Sequence, residues 1–242
     1  MKFDLNQVYI YCWFLWYTGK STFFYETIRD YENHLWVKPT KIIYFYQEEC
    51  DAVLKLKKFL STQKDIKSLF LTKLPEEDFI ETVGIDKNST VILIDDFAPQ
   101  AATNEKLRDT LLHMSQIWVH HFSIVLLYST QSYEMFLKSS KLNPMLNNST
   151  HLVLFKSSHD ARSLRRYLSQ YLINVKGDAS LWSLFEKYVQ NQQYKCMVIC
   201  ISTHVRRPTV FTNIMMSQPG PVLAFHESSG SELSDEEGGD GK

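Results

Sequence analysis

Six stretches of this sequence are apolar at nearly every position, and a strand of that kind has no face to show to water. Val8–Phe14, Lys41–Tyr46 (KIIYFY), Thr90–Ile94 (TVILI), Ser123–Leu127 (SIVLL), His151–Phe155 (HLVLF) and Cys196–Ile201 all read this way. Such strands need cover on both sides, which helices supply when they cross over between parallel neighbours. The intervening segments carry apolar residues at helical spacing: Thr22–Tyr31, Glu48–Leu60, Glu105–Val119, Asp160–Tyr171 and Ser180–Val189. The alternation predicts an α/β fold of three layers with a mainly parallel central sheet. With 44% of its 242 residues hydrophobic, the chain can fill such a core without disulfides or a structural metal.

The net charge of −1 conceals a division. Residues 227–242 hold six acids (Glu227, Glu232, Asp235, Glu236, Glu237 and Asp240) against Lys242, leaving 25 bases and 21 acids, or +4, elsewhere. From Met216 onward, prolines and glycines give way to a Ser/Gly/Asp/Glu mixture. The expected organisation is one folded domain over 1–215 and an acidic, disordered tail over 216–242. Cys12, Cys50, Cys196 and Cys200 form no CxxC pair. Cys196 and Cys200 share one face of a predicted strand and are expected as buried thiols, in a reducing, intracellular setting, the nucleus or cytoplasm of a host cell. His120 and His121 read as a turn rather than a metal pair. Val8–Tyr17, the longest apolar run, is too short to span a bilayer, follows Asp4 and precedes no small-residue cleavage site. Neither a membrane segment nor a secretory leader is expected.

Glycine is scarce, and only Gly19, Gly84 and Gly177 precede residue 218. Gly19 opens Gly19-Lys20-Ser21-Thr22, between a predicted strand and a predicted helix. Helix N-terminal amides attract phosphate, a lysine reaches β- and γ-phosphates, and a hydroxyl can enter a Mg²⁺ shell. Gly19, Lys20, Ser21 and Thr22 are therefore candidate nucleotide contacts, with Ser21 also a candidate metal ligand. The strand VILIDD brings Asp95, 75 residues past Lys20, to the carboxyl edge of the sheet, where ligands of open α/β folds bind. In a nucleotide site Asp95 would hold Mg²⁺, and Asp96 would orient or deprotonate the attacking water. Two acids opening an ordinary loop are the alternative. The next strand runs into Tyr128-Ser129-Thr130-Gln131, where the neutral amide of Gln131 is the candidate sensor of γ-phosphate and water. A capping hydroxyl followed by a surface glutamine is the alternative there.

The ordered set GKST, KIIYFYQEE, VILIDDF, HHFSIVLLYSTQS and NNSTHLVLFKSSHDARSL resembles the FtsK/HerA-type DNA-packaging P-loop ATPases. The likeness is to those of Polinton/Maverick elements and related large double-stranded DNA viruses. Tyr194–Asn213, with Arg206 and Arg207 before TVFTN, is similar to that family's closing strands, so the resemblance covers about residues 1–215. It implies a P-loop NTPase fold, ATP hydrolysis with Mg²⁺, a homo-oligomeric ring and translocation of double-stranded DNA. A capsid or portal protein would be a further partner, with association to a virion. ATPase rings commonly complete each site with a guanidinium from the neighbouring subunit. Arg162, which shares a predicted helix face with Arg165 and Arg166, is the candidate. Contact with DNA phosphate and a solvated basic face are the other readings.

The sequence departs from that family in one place. Its phosphate loop is glycine-rich, whereas Phe14-Leu15-Trp16-Tyr17-Thr18 stand before Gly19 here. Bulky residues are costly where backbone must approach phosphate closely. Either the loop has decayed or the start of the chain is not a faithful reading of its gene. Two rival functions follow: a catalytically impaired P-loop remnant, and an ATP-independent interaction module whose acidic tail binds a basic partner.

Overall fold

In a computed structural model the described residues are 19–35, 38–75, 79, 83–130, 142, 144–145, 149, 151–155, 161–168, 181–190, 196–200, 209–212 and 224–225. The predicted strand Val8–Phe14, Gln131, Arg206, Arg207 and the predicted tail 216–242 lie outside them, except that Ala224–Phe225, expected in the disordered tail, pair with Val210–Phe211 as a short strand.

Helix α1 (Lys20–Arg29) and the short α2 (Tyr31–His34) lead into β1 (Lys41–Tyr46), α3 (Asp51–Ser61) and β2 (Lys67–Leu71). Then come β3 (Thr90–Asp95), α4 (Ala98–Thr103), α5 (Glu105–His113), a π-helical turn at Met114–Trp118 and α6 (Val119–Phe122). β4 (Val125–Ser129) and β5 (His151–Phe155) precede α7 (Ala161–Leu168), α8 (Leu181–Phe185), a second π-helical turn at Glu186–Gln190, β6 (Cys196–Cys200), β7 (Thr209–Thr212) and β8 (Ala224–Phe225). One sheet has the order β2-β1-β3-β4, parallel throughout. The other, β5-β6-β7-β8, is antiparallel.

Strand alternation sorts the buried side chains into two cores. Tyr44, Leu93 and Leu127 face Phe23, Phe24 and Ile28 of α1 and Val53, Leu56 and Leu60 of α3. Phe45, Ile92 and Leu126 face Ala98 and Ala101 of α4, Leu111 of α5 and Trp118. Strands β5 and β6 feed both cores, with Val153 and Val198 on the first side and Leu152 and Met197 on the second. This is the expected three-layer α/β arrangement, and the continuous burial of β3 and β4 is its cause.

Several boundaries differ from the expectation. Strand β2 was not predicted, because KSLFL is short and half-exposed at a sheet edge. The helix expected over Glu105–Val119 continues to Phe122 through the π-helical turn, and ends where Ser123 adopts the left-handed conformation at φ 50°. The following strand therefore starts at Val125 rather than Ser123. Residue Cys196 is buried, and its thiol is pushed up to about 12 by that burial. Among the described residues no helix is long and apolar enough to cross a membrane.

Burial also lowers His151 from 6.5 to about 4, so it is neutral in the folded chain at pH 5 and protonated in the unfolded one. Stability should therefore fall as pH drops from about 6.5 toward 4, by roughly 3 kcal/mol from this residue. Denaturant titrations of the parent and a His151→Leu variant across that range check it. Parallel curves for the two would show that His151 contributes nothing.

Candidate functional site

The site lies at the carboxyl edge of the parallel sheet. Register sets Tyr46, Asp95 and Ser129 side by side at the ends of β1, β3 and β4. Alternation then turns Asp95 and Ser129 to the face that carries Tyr44, the face covered by α1. Asp95 is 9% exposed and accepts hydrogen bonds from three hydroxyls. Ser21 Oγ donates to Oδ2 at 2.6 Å, Tyr44 donates to the same oxygen at 3.0 Å, and Ser129 Oγ donates to Oδ1. Burial first, then the Asp95 charge, holds the Tyr44 phenol far above its usual range, so it stays a donor.

Asp96 leaves the strand with φ 65°, a left-handed conformation that aspartate tolerates better than most residues. Its amide donates to the Ser129 carbonyl at 3.1 Å, and its carbonyl accepts from Gln47 Nε2. Gln47 is paired in turn with Gln100 through reciprocal amide bonds of 2.7 and 2.6 Å. The Asp96 carboxylate lies 3.7 Å from the Lys20 ammonium. Side-chain exposures of 15% and 18% leave that pair reachable from solvent.

Gly19 caps α1 at φ 135° and ψ −18°, backbone that favours glycine. Among the described residues no side chain caps α1, and its first turn holds no acid, so the helix end favours an anion. A Cβ on Gly19 would stand 3.0 Å from the Phe155 ring. Gly19→Ala should therefore cost about 1–3 kcal/mol of stability, read from the denaturation midpoint. An alanine variant as stable as the parent would show that neither the backbone nor Phe155 constrains this position.

Lys20, Ser21, Asp95 and Asp96 thus converge, while Thr22 is exposed on α1. Gln131 lies outside the described residues. Arg162, Arg165 and Arg166 are exposed on α7. His120 and His121 are exposed at the end of α6, and no group of three His, Cys, Asp or Glu residues able to hold a metal occurs among the described residues. Sequence reasoning missed Tyr44, Ser129 and the Gln47–Gln100 pair. The one available signal was the period of two, which puts both tyrosines of KIIYFY on one face.

No family model matches the chain, and no curated protein sequence does. Among solved structures it is similar to B204, the DNA-packaging ATPase from Sulfolobus Turreted Icosahedral Virus. The identity is 13% and the TM-score 0.48, over 83% of this chain and 95% of that one.

Proposed function

We propose that this chain is a Mg²⁺-dependent ATPase that moves double-stranded DNA as a homo-oligomeric ring, in the packaging of a viral or virus-like genome. One observation carries the nucleotide part: Ser21, beside Lys20 at the start of α1, meets Asp95, 74 positions later in the chain, at 2.6 Å. A hydroxyl and a carboxylate are hard oxygen donors, which fits Mg²⁺ completed by phosphate and water. Among the described residues no cation lies within ion-pair distance of Asp95, since Lys20 pairs with Asp96 instead. When bound, Mg²⁺ neutralises charge on the transferring phosphoryl group. The chain's own parts divide the remaining work. Amides of α1 and Lys20 bind phosphate, Ser21 and Asp95 hold the ion, and Asp96 orients the water or accepts its proton.

Support for the DNA part comes from the order GKST, VILIDDF, YSTQ and HLVLFK, and from the exposed arginines of α7. Arg162 would serve a neighbouring subunit's nucleotide, and Gln131 the γ-phosphate. A capsid or portal protein as partner, and a nuclear, cytoplasmic or virion-associated location, belong to the same proposal. The purified full chain should bind ATP in Mg²⁺ and release phosphate faster when double-stranded DNA is added. A chain that does neither refutes the reading.

The glycine-poor Phe14–Thr18 segment favours a second reading, an impaired remnant, whose signature would be ATP binding without phosphate release. The six acids of the tail favour a third. Deleting Glu227–Lys242, which holds those acids and leaves β8 in place, would then abolish capture of a basic partner and leave nucleotide binding unchanged.

A further inference from the structure

We propose that Tyr44 and Ser129 are positioning residues that fix the direction of the Asp95 carboxylate and thereby set the affinity for a divalent cation. The proposal rests on the nucleotide-site reading above. Of the three hydroxyls on Asp95, that of Ser21 is itself a candidate ligand, so its oxygen is the atom a cation would take. The two donors outside the ligand set must then hold the carboxylate. Ser129 occupies Oδ1 and Tyr44 occupies Oδ2, so each oxygen keeps one neutral donor independent of Ser21.

Both donors are rigidly placed. Ser129 is fully buried and stands opposite Asp95 in the β3–β4 register. Tyr44 is 1% exposed, and its ring packs edge-on against Phe24 at 5.8 Å and tilted against Tyr46 and Phe70 at 5.6 and 6.0 Å. The phenol cannot swing away without breaking those contacts. Neutral donors suit the task, because they orient a carboxylate without cancelling the charge that a cation needs. Outer partners of ligating groups are commonly worth ten- to a hundredfold in metal affinity.

Mn²⁺ is the probe, titrated into the full chain with a non-hydrolysable ATP analogue and read by the electron paramagnetic resonance of the free ion. Tyr44→Phe keeps the ring and removes only the hydroxyl; Ser129→Ala removes the other donor. Each should raise the Mn²⁺ dissociation constant by roughly tenfold or more. Affinity for the analogue in EDTA should stay at the parent value, which a general loss of structure would not allow. Should Tyr44→Phe fail to fold, Ser129→Ala carries the same measurement. Variants that bind Mn²⁺ like the parent, or lose analogue affinity equally in EDTA, overturn the positioning role alone. A parent that binds neither Mn²⁺ nor analogue overturns the site reading as well.

Discussion

Replacing Lys20 with alanine should weaken ATP binding by roughly 100-fold or more, about 3 kcal/mol, with little change in the stability of the fold. Lys20 is the cation at the start of α1, and its ammonium lies where helix amides already favour an anion. A charge-assisted contact to phosphate in a partly enclosed site is among the stronger hydrogen bonds available. The ammonium rests 3.7 Å from Asp96, too far for a strong bond. Losing that pair should cost the fold about 1 kcal/mol or less. Titration calorimetry with ATP, paired with thermal melts of both proteins, separates the two effects. An alanine variant that binds ATP like the parent would remove the phosphate-site assignment.

The pieces legible in the sequence were those whose chemistry is local. A glycine, lysine and serine at the start of a predicted helix suggest phosphate contacts by adjacency, and an apolar strand ending in two aspartates tells where its carboxylates go. What stayed hidden depends on which strands become neighbours. The contact between Tyr44 and Asp95 exists because β1 and β3 pair in parallel with Tyr46 opposite Asp95, placing Tyr44 one step back on the same face. Ser129 was within sight as part of Tyr128–Gln131, yet Gln131 drew the inference because amides suit phosphate sensing. The serine mattered because register sets it opposite Asp95. The antiparallel course of β5 to β8 was equally hidden, since an apolar run has no direction written into it. The π-helical turn at Met114–Trp118 left no trace either, because the buried Leu111, Met114 and Trp118 still follow one another at spacings of three and four.

The two aspartates should respond to amidation in opposite ways. Asp96→Asn should slow ATP turnover by about 10²–10⁴, the usual worth of a positioned general base. It should also tighten ATP binding a few-fold, because Lys20 no longer has a carboxylate within 3.7 Å competing with phosphate. The fold should tolerate the change, since the backbone bonds that hold Asp96, from its amide to Ser129 and from Gln47 to its carbonyl, are untouched. Asp95→Asn is a different operation. An asparagine places an NH₂ where the hydroxyls of Ser21, Tyr44 and Ser129 converge as donors. At least one must turn or go unsatisfied in a nearly closed space, costing about 1–3 kcal/mol of stability. Mg²⁺-dependent binding should fall with it, because an amide oxygen lacks the charge that a hard cation requires. Phosphate-release assays, ATP titrations with and without Mg²⁺, and denaturant curves on both variants give the full pattern. If Asp96→Asn lowers stability and Asp95→Asn does not, the division of labour between the two carboxylates is reversed. If both variants turn over ATP at the parent rate, neither residue belongs to the chemistry.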